Sequence, residues 1–204
     1  KIDLYNRIKN DVGWNSLGVL QMLNVKYIIS LNKINHPLFN LVFQEKLFFQ
    51  GKYVDANIYQ YKLFVERAFF TEKIKYISNI EEQFDFLKQN SFNPIKESII
   101  NIPLALTKFD IDDAKLNILQ HTPNTIEIKT SSKRDQFLIL SEIYYPNGWE
   151  VKVNNVETDI IEVNKLLRGI KLEPGNNNII MKFNPEDVKI GSMLSIFSII
   201  ITII

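Results

Sequence analysis

The sequence predicts an α+β protein: an N-terminal mixed α/β subdomain over residues 1–112, then an antiparallel β-sandwich over 113–188. Three observations predict it. From about Ala114 onward, short apolar and β-branched segments recur every ~8–12 residues with turn residues between them, the rhythm of a sandwich or barrel. Upstream, Ser78-Asn79-Ile80-Glu81 places a hydroxyl three residues before a carboxylate, and Ile80, Phe84 and Leu87 follow at helical spacing. The chain then closes on fifteen uncharged residues, Ile190 to Ile204.

Composition narrows the class. With 204 residues, 46% hydrophobic and 23% charged, the chain can bury a sizeable core in one domain or two small ones. Basic and acidic residues are mixed throughout, +2 over residues 1–112 and −1 over 113–204, which leaves no electrostatic footprint for nucleic acid. The absence of cysteine removes disulfides, thiol catalysis and thiolate metal sites.

Taken in order, Asn15 or Ser16 can cap a short helix carrying Leu17, Leu20 and Leu23, which feeds a buried strand at 25–30. Residues 41–49, 57–64 and 67–71 are aromatic and β-branched enough to be strands, with Gly51 and the polar stretch 52–55 as the break between the first two. The capped helix should end near Asn90, because Asn93-Pro94 favours an extended or turn conformation. A boundary is expected within 109–113. Strands follow at 116–120, 125–130, 137–145, 149–153, 156–163, 166–172 and 178–183. Asn154-Asn155 is a two-residue hairpin loop, Pro174-Gly175 another turn, and Trp149, Val151 and Val153 alternate with polar residues so that one face is buried. Residues 189–204 are read as the start of a transmembrane helix, since spanning needs about 20 apolar residues and no polar face interrupts this run.

Several motifs occur in one order: Ser141-Glu142, Tyr144-Tyr145-Pro146, Gly148-Trp149, Asn164 with Arg168, Pro174-Gly175, Phe183-Asn184-Pro185 and Gly191-Ser192. In that order and spacing they resemble the C-terminal extracytoplasmic region of the bacterial YfhO-type membrane proteins. The first half is similar too, through Leu23-Asn24-Val25-Lys26-Tyr27-Ile28-Ile29, Arg67-Ala68-Phe69-Phe70 and Phe92-Asn93-Pro94. Departures touch turns: Glu66 stands where Pro is usual, Asn93 where Asp is, and Asn154-Asn155 where an Asp-Gly or Asn-Gly pair is expected. The resemblance implies a multi-spanning cytoplasmic-membrane protein of the glycosyltransferase C type, using a polyprenyl-phosphate sugar on cell-envelope polymers. Its catalytic acid would lie on an early outer loop outside these residues. The expected role is therefore a noncatalytic domain on the extracytoplasmic side, with no cofactor of its own. Its partners would be the membrane and an envelope polysaccharide or lipid-linked sugar. The alternative is a structural or carbohydrate- or protein-interaction module without transferase activity.

Individual side chains point to roles through their chemistry. Tyr144, Tyr145 and Trp149 offer flat faces that can stack on a sugar ring, although alternation also makes Trp149 a core candidate. Arg168 and Glu142 both fall within apolar strands, and a buried charge needs a partner, so the two are expected to form a structural ion pair. A bulge at Gly169 turning Arg168 outward is the alternative. Asp110 and Asp112 form an Asp-x-Asp pattern that reads as an acidic interdomain loop rather than a metal site. His36 and His121 read as loop residues, and Ser141 has no histidine partner in a nucleophile arrangement.

Overall fold

The computed structural model describes residues 17–203. The protein is mostly β, in three sheets that are antiparallel except for one parallel pair, with few helices. The caps expected at Asn15 or Ser16 lie outside the described residues.

Helix α1 (Leu17–Met22) ends on Asn24, which takes the left-handed conformation and donates its amide to Val65 O. Strands β1 (Tyr27–Ser30), β2 (Phe39–Phe49) and β3 (Lys52–Tyr61) form a sheet in the order β1-β3-β2. Two expectations change here. Residues 52–55 are part of β3, because Gln50 and Gly51, both with positive φ, close a tight two-residue hairpin and carry the chain straight back. The first strand is not buried: Ile29 is 71% exposed, since only the opposite face of this sheet packs, through Phe39, Tyr59 and Tyr61 against Leu17 and Leu20.

Short strands β4 (Ala68–Phe70) and β5 (Ile74–Tyr76) precede helix α2 (Ile80–Lys88), and β6 (Ser98–Ile100) follows it. The cap of α2 is Asn79, one residue later than the hydroxyl pattern suggests. Its Oδ1 accepts from Glu81 N at 2.9 Å and Glu82 N at 3.1 Å. Asn93 Oδ1 accepts from Ile95 N and forms the turn expected before β6.

The remaining strands are β7 (Lys115–His121), β8 (Thr125–Ser132), β9 (Gln136–Ile143), β10 (Trp149–Val153), β11 (Val156–Glu157), β12 (Ile161–Val163), β13 (Leu167–Leu172) and β14 (Gly175–Phe183). The segment expected as one strand over 156–163 is two, because residues 158–160 carry the chain from one sheet to another. One sheet has the order β11-β10-β14-β8-β7 and the other β4-β9-β13-β12-β6-β5. Asn154 and Asn155 have positive φ, as a two-residue hairpin turn requires.

Layering follows from burial. Ile126, Ile128, Val151, Ile179 and Met181 of the five-stranded sheet share a core with Leu138, Leu140, Ile170 and Leu172 of the six-stranded sheet. The opposite face of the six-stranded sheet, through Phe137, Ile139 and Leu167, packs on Val19 and Met22 of α1 and Phe86 and Leu87 of α2. Covered on both faces, β9 reads as an unbroken apolar run rather than an alternation. Gly169 is glycine for space: a Cβ there would lie 2.4 Å from Val163 Cγ2 and 2.6 Å from Phe137 Cε1. The six-stranded sheet pairs β4 with β9 and β6 with β12, so it runs across the expected 112/113 boundary.

The chain ends on helix α3 (Glu186–Ile203), which starts before the expected 189 and carries exposed Val188, Ile190, Met193, Leu194 and Ile196. No helix among the described residues is long and apolar enough to cross a membrane. Three charged residues, Glu186, Asp187 and Lys189, occupy the start of α3, and its eighteen residues rise about 27 Å at 1.5 Å each.

Candidate functional site

One end of the paired sheets gathers most of the singled-out residues. There β9 ends, the turn 144–148 reverses the chain into β10, β7 passes into β8, and β14 gives way to α3. Gly148 fixes the turn on two counts: its φ is +107°, and a Cβ would stand 2.7 Å from Pro185 Cβ. Asn184 N donates to Gly148 O, which ties the approach to α3 onto the turn.

Two irregular strands bring charge together at this end. In β9, the register against β13 jumps from Leu140↔Arg168 to Ile143↔Leu167, so Ser141 and Glu142 form a bulge that frees Glu142 from strict alternation. In β7, the register skips Leu119, which places His121 opposite the inward-facing Ile126. The result is a shared carboxylate: Glu142 Oε1 accepts from Arg67 Nη1 at 2.6 Å and lies 2.9 Å from His121 Nε2. Burial alone would raise the Glu142 carboxyl, but hydrogen bonds from Arg67 and His121, with their charges, outweigh it and hold the carboxyl below its ordinary value.

The direct partners of Glu142 are thus Arg67 and His121 rather than Arg168, and His121 is a strand-end residue rather than a loop one. Arg168 stays inside, 4% exposed, with Nε donating to Ile143 O at 3.0 Å and its guanidinium 4.0 Å from the Trp149 ring centroid. Burial lowers its pKa from the usual value, and the nearby Glu142 charge opposes that shift. The bulge beside Arg168 lies on the partner strand and does not turn it outward.

The aromatic residues divide. Tyr144 and Trp149 are half-buried and line an open cleft of about 650 Å³ with Pro146, Glu150, Thr158 and Asp159. Trp149 also packs on Phe183, ring centroids 5.4 Å apart, so it serves both core and cleft. Tyr145 is 43% exposed and leans on Phe183 outside the cleft lining. Among the described residues Asp159 has no hydrogen-bond or ion-pair partner, whereas Glu150 accepts from Asn184 Nδ2 at 3.0 Å. Sequence reading missed Glu150, Thr158 and Asp159 because they join the aromatics only through the crossover between sheets.

Other singled-out groups are committed locally. Asp110 pairs with Arg134 and accepts from Asp112 N, while Asp113 accepts from Ser132 Oγ and Lys133 N. Ser141 Oγ donates to Met22 O at 2.7 Å, joining α1 to β9, and His36 Nδ1 accepts from Leu38 N. No group of three or more His, Cys, Asp or Glu among the described residues could hold a metal ion. Asn164, fully buried, accepts from Ile99 N at 2.9 Å and donates to Ser98 Oγ at 3.1 Å, which locks β6 to the β12–β13 turn.

Comparison with known proteins adds a family. Residues 105–195 match the family described as bacterial membrane protein YfhO. Over these residues the chain is similar to a YfhO-type domain. The uncharacterized protein YfhO of Bacillus subtilis (strain 168) is 27% identical over 89 residues, 44% of this chain and 10% of that protein. The chain therefore spans about a tenth of the length of the curated relative it matches. No solved structure matches. The match over 105–195 includes the bulge at Ser141–Glu142, the aromatic cleft, Arg168 and the first half of α3, so this end of the molecule lies within the YfhO-type part.

Proposed function

We propose that this is a noncatalytic, glycan-binding domain of a membrane protein, held on the extracytoplasmic face of the cytoplasmic membrane and serving a polyprenyl-phosphate-sugar-dependent transferase of envelope polymers. The observation that carries it is the cleft of Tyr144 and Trp149 with Glu150, Thr158 and Asp159, at the end of the sheets from which α3 leaves. An aromatic face beside carboxylate and hydroxyl acceptors suits a sugar, whose C–H face stacks while its hydroxyls donate. Tyr144 is the better platform, because Arg168 sits against the Trp149 ring. The YfhO-type match supports membrane attachment. Glu142, Arg67, His121 and Arg168 hold the cleft end in shape. Tyr145 takes a lesser part.

The test is a kinetic split in the full-length parent protein. Tyr144→Ala is expected to raise the KM for the acceptor polymer at least about fivefold with kcat nearly unchanged, since uniform binding is lost. A collapse of kcat at unchanged KM would make the cleft catalytic and overturn the proposal. So would unchanged kinetics in the variant.

A further inference from the structure

The β2–β3 hairpin is the other unusual surface. Beyond its packed root it is exposed along nearly its whole length, and its tip is apolar on both faces. Register pairs Leu47 with Val54, Phe48 with Tyr53 and Phe49 with Lys52, so the pleat sends Leu47 and Phe49 to one face and Phe48 and Tyr53 to the other. Phe48 is 67% and Tyr53 73% exposed, and Leu47 and Phe49 are each about half exposed. Lys46 and Lys52 flank these residues and form no ion pair among the described residues, and the acidic Glu45 and Asp55 begin only behind them.

A flat protein partner covers one face of a hairpin, and a strand added to the free edge of β2 covers the edge. Neither accounts for large apolar side chains on both faces of one turn. A lipid surface does, because it surrounds what enters it. The apolar tip from Lys46 to Phe49 is about 10 Å long at ~3.3 Å per residue, which matches the ~5–10 Å depth of interfacial insertion. Lysines at its base complement anionic headgroups.

The hairpin sheet packs through Phe39, Tyr59 and Tyr61 on Leu17 and Leu20 of α1, and α1 is tied to β9 by Ser141 Oγ donating to Met22 O.

We propose that the β2–β3 tip is a second membrane contact, seating Leu47, Phe48, Phe49 and Tyr53 at the headgroup–acyl boundary of an anionic bilayer with Lys46 and Lys52 among the headgroups. This rests on the membrane-attached reading above. The chain has no cysteine, so a single environment-sensitive fluorophore can be placed at Phe48→Cys, with Val156→Cys on the β10–β11 hairpin at the opposite end as control. Both labelled chains are floated with vesicles of phosphatidylcholine, with and without phosphatidylglycerol. The expected result is a several-fold, blue-shifted emission increase at position 48, greater with phosphatidylglycerol, and none at 156. Chains that float through α3 without a response at 48 would overturn the tip contact and leave membrane attachment standing. Chains that do not float would overturn both. A concentration-dependent response at 48 without vesicles, accompanied by dimers in sedimentation, would assign the tip to a second copy of the chain and overturn the proposal.

Discussion

Glu142 owes its role to a bulge. Placed outside strict alternation, it collects Arg67 from the N-terminal half and His121 from the neighbouring sheet, joining three parts of the chain through one carboxylate. Its folded pKa is held below the ordinary carboxylate value, so its contribution is fully present above the unfolded pKa and is lost as pH falls through the folded one. In Glu142→Gln, the wild-type loss of stability on the acid side should become shallower, read as urea midpoints between about pH 6 and 3. Arg67, with its side chain 44% exposed, is worth less, and Arg67→Ala should cost about 0.5–1 kcal/mol. Asn164→Ala should cost more, about 1–3 kcal/mol in the same assay, because it strands the buried Ile99 N–H. That Glu142 and Arg168 needed partners was legible from the sequence, since both interrupt apolar runs. Which partners they take was not: the bulges at Ser141–Glu142 and Leu119 reset the alternation on which any pairing must be reasoned.

Elements that carry their own signals were the readable ones. Helix α2 is announced by its cap and spacing, and the Asn154-Asn155 hairpin by two residues that tolerate positive φ. Asn79→Ala should lower stability by about 1 kcal/mol in urea melts, whereas Ser78→Ala should not, which distinguishes the observed cap from the hydroxyl one. The β2–β3 hairpin was legible only in part. The sequence places the break at Gly51 and residues 52–55, because Lys52 and Asp55 look like loop residues, yet both stand on an exposed strand where charge costs little. The turn at 144–148 shows the opposite case. Pro146, Asn147 and Gly148 lie in it, but its seat against Pro185 depends on a contact across the fold that no local pattern announces. Gly148→Ala should therefore destabilise the protein and increase amide exchange at Asn184 and the start of α3.

At the scale of the molecule, two apolar layers lie on either side of the six-stranded sheet, one shared with the five-stranded sheet and one with the helices. Because β4, β5 and β6 complete that sheet from before residue 113, the residues from β4 to β14 should unfold in a single cooperative transition by circular dichroism and tyrosine fluorescence alike. The composition of the later strands was legible as β, but their partners from the first half were not, since three-residue strands such as β4 and β6 leave too little periodicity to read. The turn at 144–148 also brings the cleft and the start of α3 to one end, and that arrangement underlies the account of a glycan-binding domain seated on a membrane. Its central claim is most directly tested by titrating the isotope-labelled chain with oligosaccharide fragments of an envelope polymer and following its NMR signals. The account predicts saturable shifts centred on Tyr144, Trp149 and Asp159 that disappear in Tyr144→Ala. Shifts confined to other surfaces, or none at saturating fragment, would contradict it.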